Sequence, residues 1–100
     1  MILVIDTKDR NVIKVSLRKE GEVIKSLSEE NKYGSQVLLS LISKLLNLEK
    51  MIFKDLEGIE VETGTGSFTG LRVGVSVANA LGFSLNIPVN GKKIETDLVY

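Results

Sequence analysis

The sequence predicts an α/β domain built on a mixed sheet of five strands and two helices, in the order β-β-β-α-β-α-β. Three observations lead to this. Short apolar runs with a period of two occupy the first part of the chain, two later segments have helical periodicity, and a glycine-rich turn precedes the second of these. Parallel strands need crossover connections, so the βα units favour parallel pairing next to an antiparallel meander.

The first three strands come from the N-terminal third. Residues 2–5 form a continuous apolar run that ends at Asp6-Thr7, which is typical of a central strand covered on both faces. Residues 12–17 alternate and residues 22–27 continue the β pattern after Lys19-Glu20-Gly21. This arrangement predicts an antiparallel hairpin.

The rest of the chain alternates helices and strands. A polar connector over residues 29–32 should lead into a helix that begins at Ser35, and residues 58–63 predict the fourth strand. A second helix is expected from about Gly70 to Leu85, where Pro88 would end it. A fifth strand should begin at Val89, and we expect residues 1–100 to form a single domain.

Both predicted helices have wider apolar faces than packing on a sheet requires. On a helical wheel the arcs cover roughly 200° and 220°, against a stripe of about 100° for an ordinary surface helix. In the second helix one side carries Leu71, Val75 and Ala78 and the other carries Val73, Val77 and Ala80. The sequence leaves open which side faces the sheet. Small residues also recur every fourth position, a ridge that allows another backbone to approach closely: Gly70, Gly74, Ala78 and Gly82.

Composition excludes several kinds of chemistry. The chain has 13 basic and 13 acidic residues, so nothing in its charge favours direct nucleic-acid binding. It has no Cys and no His, which excludes thiol nucleophiles, Ser-His-Asp triads and nearly all zinc sites. No segment has the length of a membrane span or the pattern of a signal peptide, so we expect a cytoplasmic protein with no membrane contact. We also expect no bound cofactor.

The turn Gly64-Thr-Gly-Ser-Phe-Thr-Gly before the second helix is the best candidate site, because a glycine-rich turn at a helix N-terminus can bind an anion. It does not fit a Walker A loop, because Leu71-Arg72 stands where the Lys-Ser/Thr pair should be. It does not fit a dinucleotide fingerprint either, because Thr69 stands where the third glycine should be. Alternatively, its glycines permit a tight turn and Ser67 or Thr69 caps the helix. Arg72 could contact an anion or a partner carboxylate, or be solvated.

Carboxylates offer a second, weaker site. Asp6 ends the first strand, where a metal-binding or catalytic carboxylate is often found, and Glu60 and Glu62 lie on the fourth strand. A two-metal nuclease of the ribonuclease H type needs several carboxylates at one point. The sequence supplies no compelling fourth, and Asp6 could equally be a capped turn residue.

The segment Thr63-Gly-Thr-Gly-Ser-Phe-Thr-Gly-Leu-Arg-Val-Gly resembles the G-x-G-S-F-T-G-L-R-[IV]-G signature of the TsaB (YeaZ) family of tRNA-modification proteins. Further similar segments occur in the same order, among them Asp6-Thr7, residues 32–42, residues 53–59 and residues 80–89. The resemblance covers essentially the whole chain, as the N-terminal domain of that family.

This resemblance implies an actin-like, ribonuclease-H-like fold and a part in making N6-threonylcarbamoyladenosine in tRNA. It implies a non-catalytic scaffolding subunit that pairs through its two helices with a TsaD-like transferase, with a TsaE-like ATPase completing the complex and tRNA bound only indirectly. A stand-alone nucleotide- or phosphate-binding domain is the alternative. We also expect a homodimer through the same helical patch.

Two groups of site residues follow. The candidate partner-binding residues are apolar side chains of the two helices: Leu39, Ile42, Leu46, Val73, Val77, Ala80 and Leu81. The candidate structural residues belong to the glycine-rich turn and the helix start: Gly64, Gly66, Ser67, Thr69, Gly70 and Arg72.

Overall fold

The described part of the chain is a four-stranded mixed sheet with two helices on one face. This computed structural model describes residues 1–9, 11–30 and 35–92. The elements in chain order are β1 (Ile2–Asp6), β2 (Val12–Lys19), β3 (Glu22–Glu30), α1 (Ser35–Leu48), a 3-10 turn (Phe53–Asp55), β4 (Gly58–Val61) and α2 (Phe68–Leu85). The sheet order is β3-β2-β1-β4, with β1 parallel to β4 and the other pairs antiparallel. The predicted α/β class and mixed sheet are confirmed.

The predicted hairpin is formed by β2 and β3. Its two-residue turn has φ 52° at Glu20 and 83° at Gly21. Two successive positive φ values are the mark of a type I′ turn, whose twist matches that of the flanking strands. The strand continues to Glu30, so Glu29 and Glu30 belong to β3 and not to the predicted connector.

The prediction of a fifth strand is wrong for the described residues. Val89 forms only a single parallel bridge to Ile59 before the chain turns, because Asn90 and Gly91 have φ 53° and 74° and bring Lys92 back against Val89. The outer edge of β4 is covered by the Asn90 side chain, which accepts a bond from the Val61 amide at 2.8 Å and donates one to its carbonyl at 3.0 Å. Residues 93–100, where the strand was expected to continue, lie outside the described residues.

The core lies between the sheet and the helices. β1 is central, and Leu3 and Ile5 on its helix-facing side have no exposed area. Ile2 and Val4, on the opposite face, are only half-buried. The expectation that this strand is covered on both faces is therefore wrong for the described residues, where the open face carries an ion pair between Arg18 and Glu60.

The buried side of α2 answers the question that the sequence left open. Leu71, Val75 and Ala78 are at most 7% exposed, and α2 packs on β1 and β4. α1 covers β2 and β3 and also contacts α2. The helix ends at Leu85, because Asn86 has the left-handed conformation (φ 57°) and the amide of Ile87 bonds back to Gly82 at 3.0 Å.

Candidate functional site

Ser67 sets the start of α2. It precedes the first helical residue, has extended backbone angles, and its hydroxyl accepts a hydrogen bond from the Gly70 amide at 3.3 Å. This is the geometry of an N-cap. Thr69, the other predicted capping residue, is exposed within the first turn, as is Arg72 one turn later. The helix therefore begins two residues before the predicted Gly70.

The glycine-rich turn is packed against the chain segment that follows β1. The Ser67 amide donates to the Lys8 carbonyl at 2.7 Å. A Cβ placed on Gly66 would lie 2.7 Å from that same carbonyl oxygen, closer than side-chain carbons approach other atoms. Gly66 has no positive φ among the described backbone angles, so its requirement is for close approach and not for an unusual conformation.

Thr7 links this segment to α2, and sequence reasoning did not assign it a role. It is fully buried, and its hydroxyl donates to the Gly70 carbonyl at 2.5 Å. A Cβ on Gly70 would overlap the Thr7 carbonyl oxygen, and one on Gly74 would overlap the Thr7 Oγ1. A threonine ending an apolar strand, with two glycines four residues apart in a later helix, was the available signal.

The small-residue ridge of α2 is thus occupied by its own chain. Gly70 and Gly74 receive Thr7, and a Cβ on Gly82 would lie 2.5 Å from a methyl group of Val89. Ala78, the fourth member, is fully buried. We expected these small residues to allow close approach of a second subunit. Their contacts do not support this, because the groups that approach them closely are Thr7 and Val89 of the same domain.

Three amide groups of the turn donate to acceptors within the protein. Gly64 donates to the Glu62 carboxylate at 3.1 Å, Ser67 donates to Lys8, and Gly70 donates to Ser67. A phosphate loop instead directs such amides toward its ligand. The second oxygen of Glu62 lies 3.8 Å from the Lys8 ammonium, which places a carboxylate and its own cation at the turn. The turn is therefore packed against its own chain and does not have the geometry of an open anion-binding site.

The carboxylates singled out in the sequence do not converge. Asp6 accepts a bond from the Lys8 amide at 3.2 Å, the local turn that Asp commonly forms with its own backbone. Glu60 is paired with Arg18, whose pKa it raises by accepting a hydrogen bond and by its charge. Across residues 1–9, 11–30 and 35–92, no three acidic, His or Cys side chains are grouped so that they could hold a metal ion.

A shallow apolar groove of about 340 Å³ runs between α1 and α2. Four of the predicted partner-binding residues line it, and two serines add hydroxyl groups at Ser76 and Ser84. The four are Leu39, Val77, Ala80 and Leu81. Leu39 is 41% exposed and Ala80 is also exposed, so these two are the most accessible apolar side chains of the groove, next to the exposed Ser76 and Ser84.

The other three predicted partner-binding residues lie elsewhere. Ile42 and Leu46 are 0% and 2% exposed and belong to the core beneath α1, so the surface role assigned to them is wrong. Both lie on the sheet-facing side of a helix whose apolar arc extends beyond that side. Val73 is half-buried against the core and does not line the groove. Val77 lines the groove but is only 6% exposed, so it forms part of the floor.

Fold and site together define a small α/β domain whose glycine-rich turn is a packed structural element and whose two helices leave an apolar groove between them. Within the described residues neither helix is long and apolar enough to cross a membrane. These are the features of a domain that presents a helical surface.

Comparison with known proteins places this domain. The family model for TsaD, described as tRNA N6-adenosine threonylcarbamoyltransferase, matches residues 12–91. The tRNA threonylcarbamoyladenosine biosynthesis protein TsaB of Buchnera aphidicola from Schizaphis graminum is 39% identical over 91% of the chain and 43% of its own length. TsaB of Bacillus subtilis is 35% identical over 89% of the chain and 39% of its own length.

A solved structure agrees with the sequence matches. YeaZ from Pseudomonas aeruginosa superimposes with a TM-score of 0.77 at 28% identity, over 99% of this chain and 42% of that one. The chain belongs to the TsaB (YeaZ) group of the TsaD-type family of tRNA threonylcarbamoyladenosine biosynthesis proteins. It spans about two fifths of the length of the curated TsaB relatives it matches.

Proposed function

We propose that this chain is a non-catalytic partner subunit in the synthesis of tRNA N6-threonylcarbamoyladenosine, and that it docks on a TsaD-like transferase through the groove between α1 and α2. Family membership supports a role in this modification, since both the TsaB relatives and the TsaD family are named for it. The single observation that carries the docking site is the groove itself, with exposed Leu39 and Ala80 on its two walls.

The chemistry of the chain supports a non-catalytic role. It contains no His or Cys, and the acidic side chains considered as catalytic candidates are engaged in structural contacts. Three of the turn amides, those of Gly64, Ser67 and Gly70, donate to acceptors within the chain. Covalent catalysis usually requires a nucleophile with a neighbouring base, and neither the glycine-rich turn nor the group of carboxylates provides such a pair.

The groove is suited to a helix from a partner. Its floor is apolar through Val77 and Leu81, its walls are exposed, and hydroxyl groups at Ser76 and Ser84 can pair with polar rim atoms. Apolar anchors surrounded by a polar rim are typical of specific protein interfaces. In the same proposal the free chain forms a homodimer through this groove, a TsaE-like ATPase joins the complex, and tRNA is bound by the partners in the cytoplasm.

The test is a binding measurement on a variant that leaves the fold intact. Ala80 is exposed, so Ala80→Glu should fold, as judged by circular dichroism and melting temperature. It would place an unpaired charge in the interface, which should weaken binding to the TsaD-like protein from the same genome roughly 100-fold in calorimetry.

Val23→Glu is the matched control, because Val23 is 59% exposed on β3 and does not line the groove. It should bind like the unmodified chain. If Ala80→Glu folds and binds with unchanged affinity, the docking site is wrong. If the unmodified chain does not bind the transferase at all, or modifies tRNA alone, the partner-subunit role is wrong.

A further inference from the structure

The outer edge of β3 is a second surface that the groove does not include. β3 is the last strand of the sheet, and in the described part of the chain no other strand pairs with its outer side. All of its nine residues are exposed except Leu27, which is half-buried. A long exposed edge strand presents a row of backbone donors and acceptors that can pair with another strand.

A bulge in β3 limits the part of this edge that can pair regularly with another strand. Leu17 pairs with Lys25 but Arg18 pairs with Val23, so Ile24 is an extra residue on β3. Such a bulge bends the strand and interrupts regular pairing. A strand added to this edge would therefore align with the residues that follow Ile24.

Those residues are self-complementary. In Lys25-Ser26-Leu27-Ser28-Glu29, an antiparallel pairing centred on Leu27 sets Lys25 opposite Glu29 of a second copy, Ser26 opposite Ser28, and Leu27 opposite itself. Opposed residues in antiparallel strands share a face, so each Lys–Glu pair meets side by side. Neither Lys25 nor Glu29 has an ion pair with a described residue of its own chain.

We propose that two copies of this chain associate by antiparallel pairing of β3 with β3 about a two-fold axis at Leu27, which joins their sheets edge to edge. A lysine on an edge strand normally opposes such pairing, because its charge would be left without a partner. The two-fold arrangement supplies that partner twice, which favours a second copy over an unrelated strand. The interface shares no residue with the groove and does not depend on the proposed function.

A charge-swap series tests this in the Ala80→Glu background, which removes association through the groove. Lys25→Glu and Glu29→Lys would each place two like-charged pairs across the axis, and each should raise the dissociation constant about tenfold or more in analytical ultracentrifugation. The double variant Lys25→Glu with Glu29→Lys restores both pairs with their signs exchanged. It should recover association to within a few-fold of the parent.

Hydrogen exchange identifies the surface. Within residues 25–29, the amides that face the outer edge, every second one along the strand, should become more protected as protein concentration rises, and the α1 and α2 amides should not change. A parent that stays monomeric at millimolar concentration would overturn the proposal. So would single variants that associate like the parent, or a double variant that associates no better than either single variant while all of them remain folded.

Discussion

Replacing Gly74 by Ala, alone and together with Thr7→Ala, probes how α2 is held against the sheet. A methyl group on Gly74 would overlap the Thr7 Oγ1, the hydroxyl that donates to the Gly70 carbonyl. The neighbouring position Gly70 differs in one respect. There the methyl group would meet the carbonyl oxygen of Thr7, which no substitution at residue 7 can remove.

Two opposing effects set the change in the free energy of unfolding for Gly74→Ala. Overpacking in a closed core destabilises by about 1–3 kcal/mol, and replacing glycine by alanine within a helix stabilises by about 1 kcal/mol. Gly74→Ala alone should therefore lower the free energy of unfolding by up to about 2 kcal/mol. In a domain of this size each kcal/mol corresponds to a shift of about 4–8 °C in the melting temperature. Thr7→Ala alone loses a buried hydrogen bond, about 1 kcal/mol.

The double variant separates the causes. With Thr7→Ala in place, the overlap is absent and only the helix gain remains, so Gly74→Ala should become neutral or stabilising, a coupling of about 1–3 kcal/mol. Gly70→Ala should stay destabilising in both backgrounds. Urea unfolding followed by circular dichroism measures all of these variants. Additive effects of Thr7→Ala and Gly74→Ala would refute the reasoning, as would rescue of Gly70→Ala.

Two further predictions concern stability elsewhere in the domain. Gly66→Val should lower the free energy of unfolding by about 1–3 kcal/mol, because its side chain would collide with the Lys8 carbonyl; the exposed neighbour Thr65→Val, compared in the same urea titration, should change it little, and equal effects would contradict this. The N-terminal ammonium of Met1, 2.8 Å from the Glu57 carboxylate, lowers the pKa of Glu57 from its ordinary 4.5. Because this pKa is lowered in the folded state, the pair contributes its full stability at pH values above the pKa of the unfolded chain, and the contribution disappears as pH falls through the folded-state pKa. Between pH 6 and pH 2 the melting temperature of Glu57→Gln should therefore fall less than that of the unmodified chain. Identical pH profiles would show that this pair does not contribute.

The order of the four strands and two helices could be predicted because each of these elements has a local signal. The type I′ hairpin follows from Glu20-Gly21 between two alternating runs, and both helices follow from their periodicity. The signature turn was predicted as structural, and Ser67 as one of two capping candidates. These features depend on neighbours in sequence, which a single sequence displays.

The misses concern contacts between distant parts of the chain. Asn90 caps the edge of β4 through Val61, 29 residues away, and this replaces the longer fifth strand expected from Val89. Thr7 contacts Gly70 across 63 residues. Periodicity reports which side chains are apolar but not what covers them, so the open face beside Val4 and the burial of Ile42 were not visible in the sequence.

The packing of α2 explains most of the apolar arc that exceeded the needs of a helix lying on a sheet. One side, with Leu71 and Ala78, lies on the sheet, and the next, with Val77 and Leu81, is partly covered where α1 packs alongside. Most of the arc is therefore satisfied within the domain, because α2 is buried on two sides. In the groove, the apolar side chains that remain accessible to a partner are Ala80 and the facing Leu39. Binding energy at such a surface should concentrate on a few central side chains, so substitutions at these two positions should outweigh those around the rim.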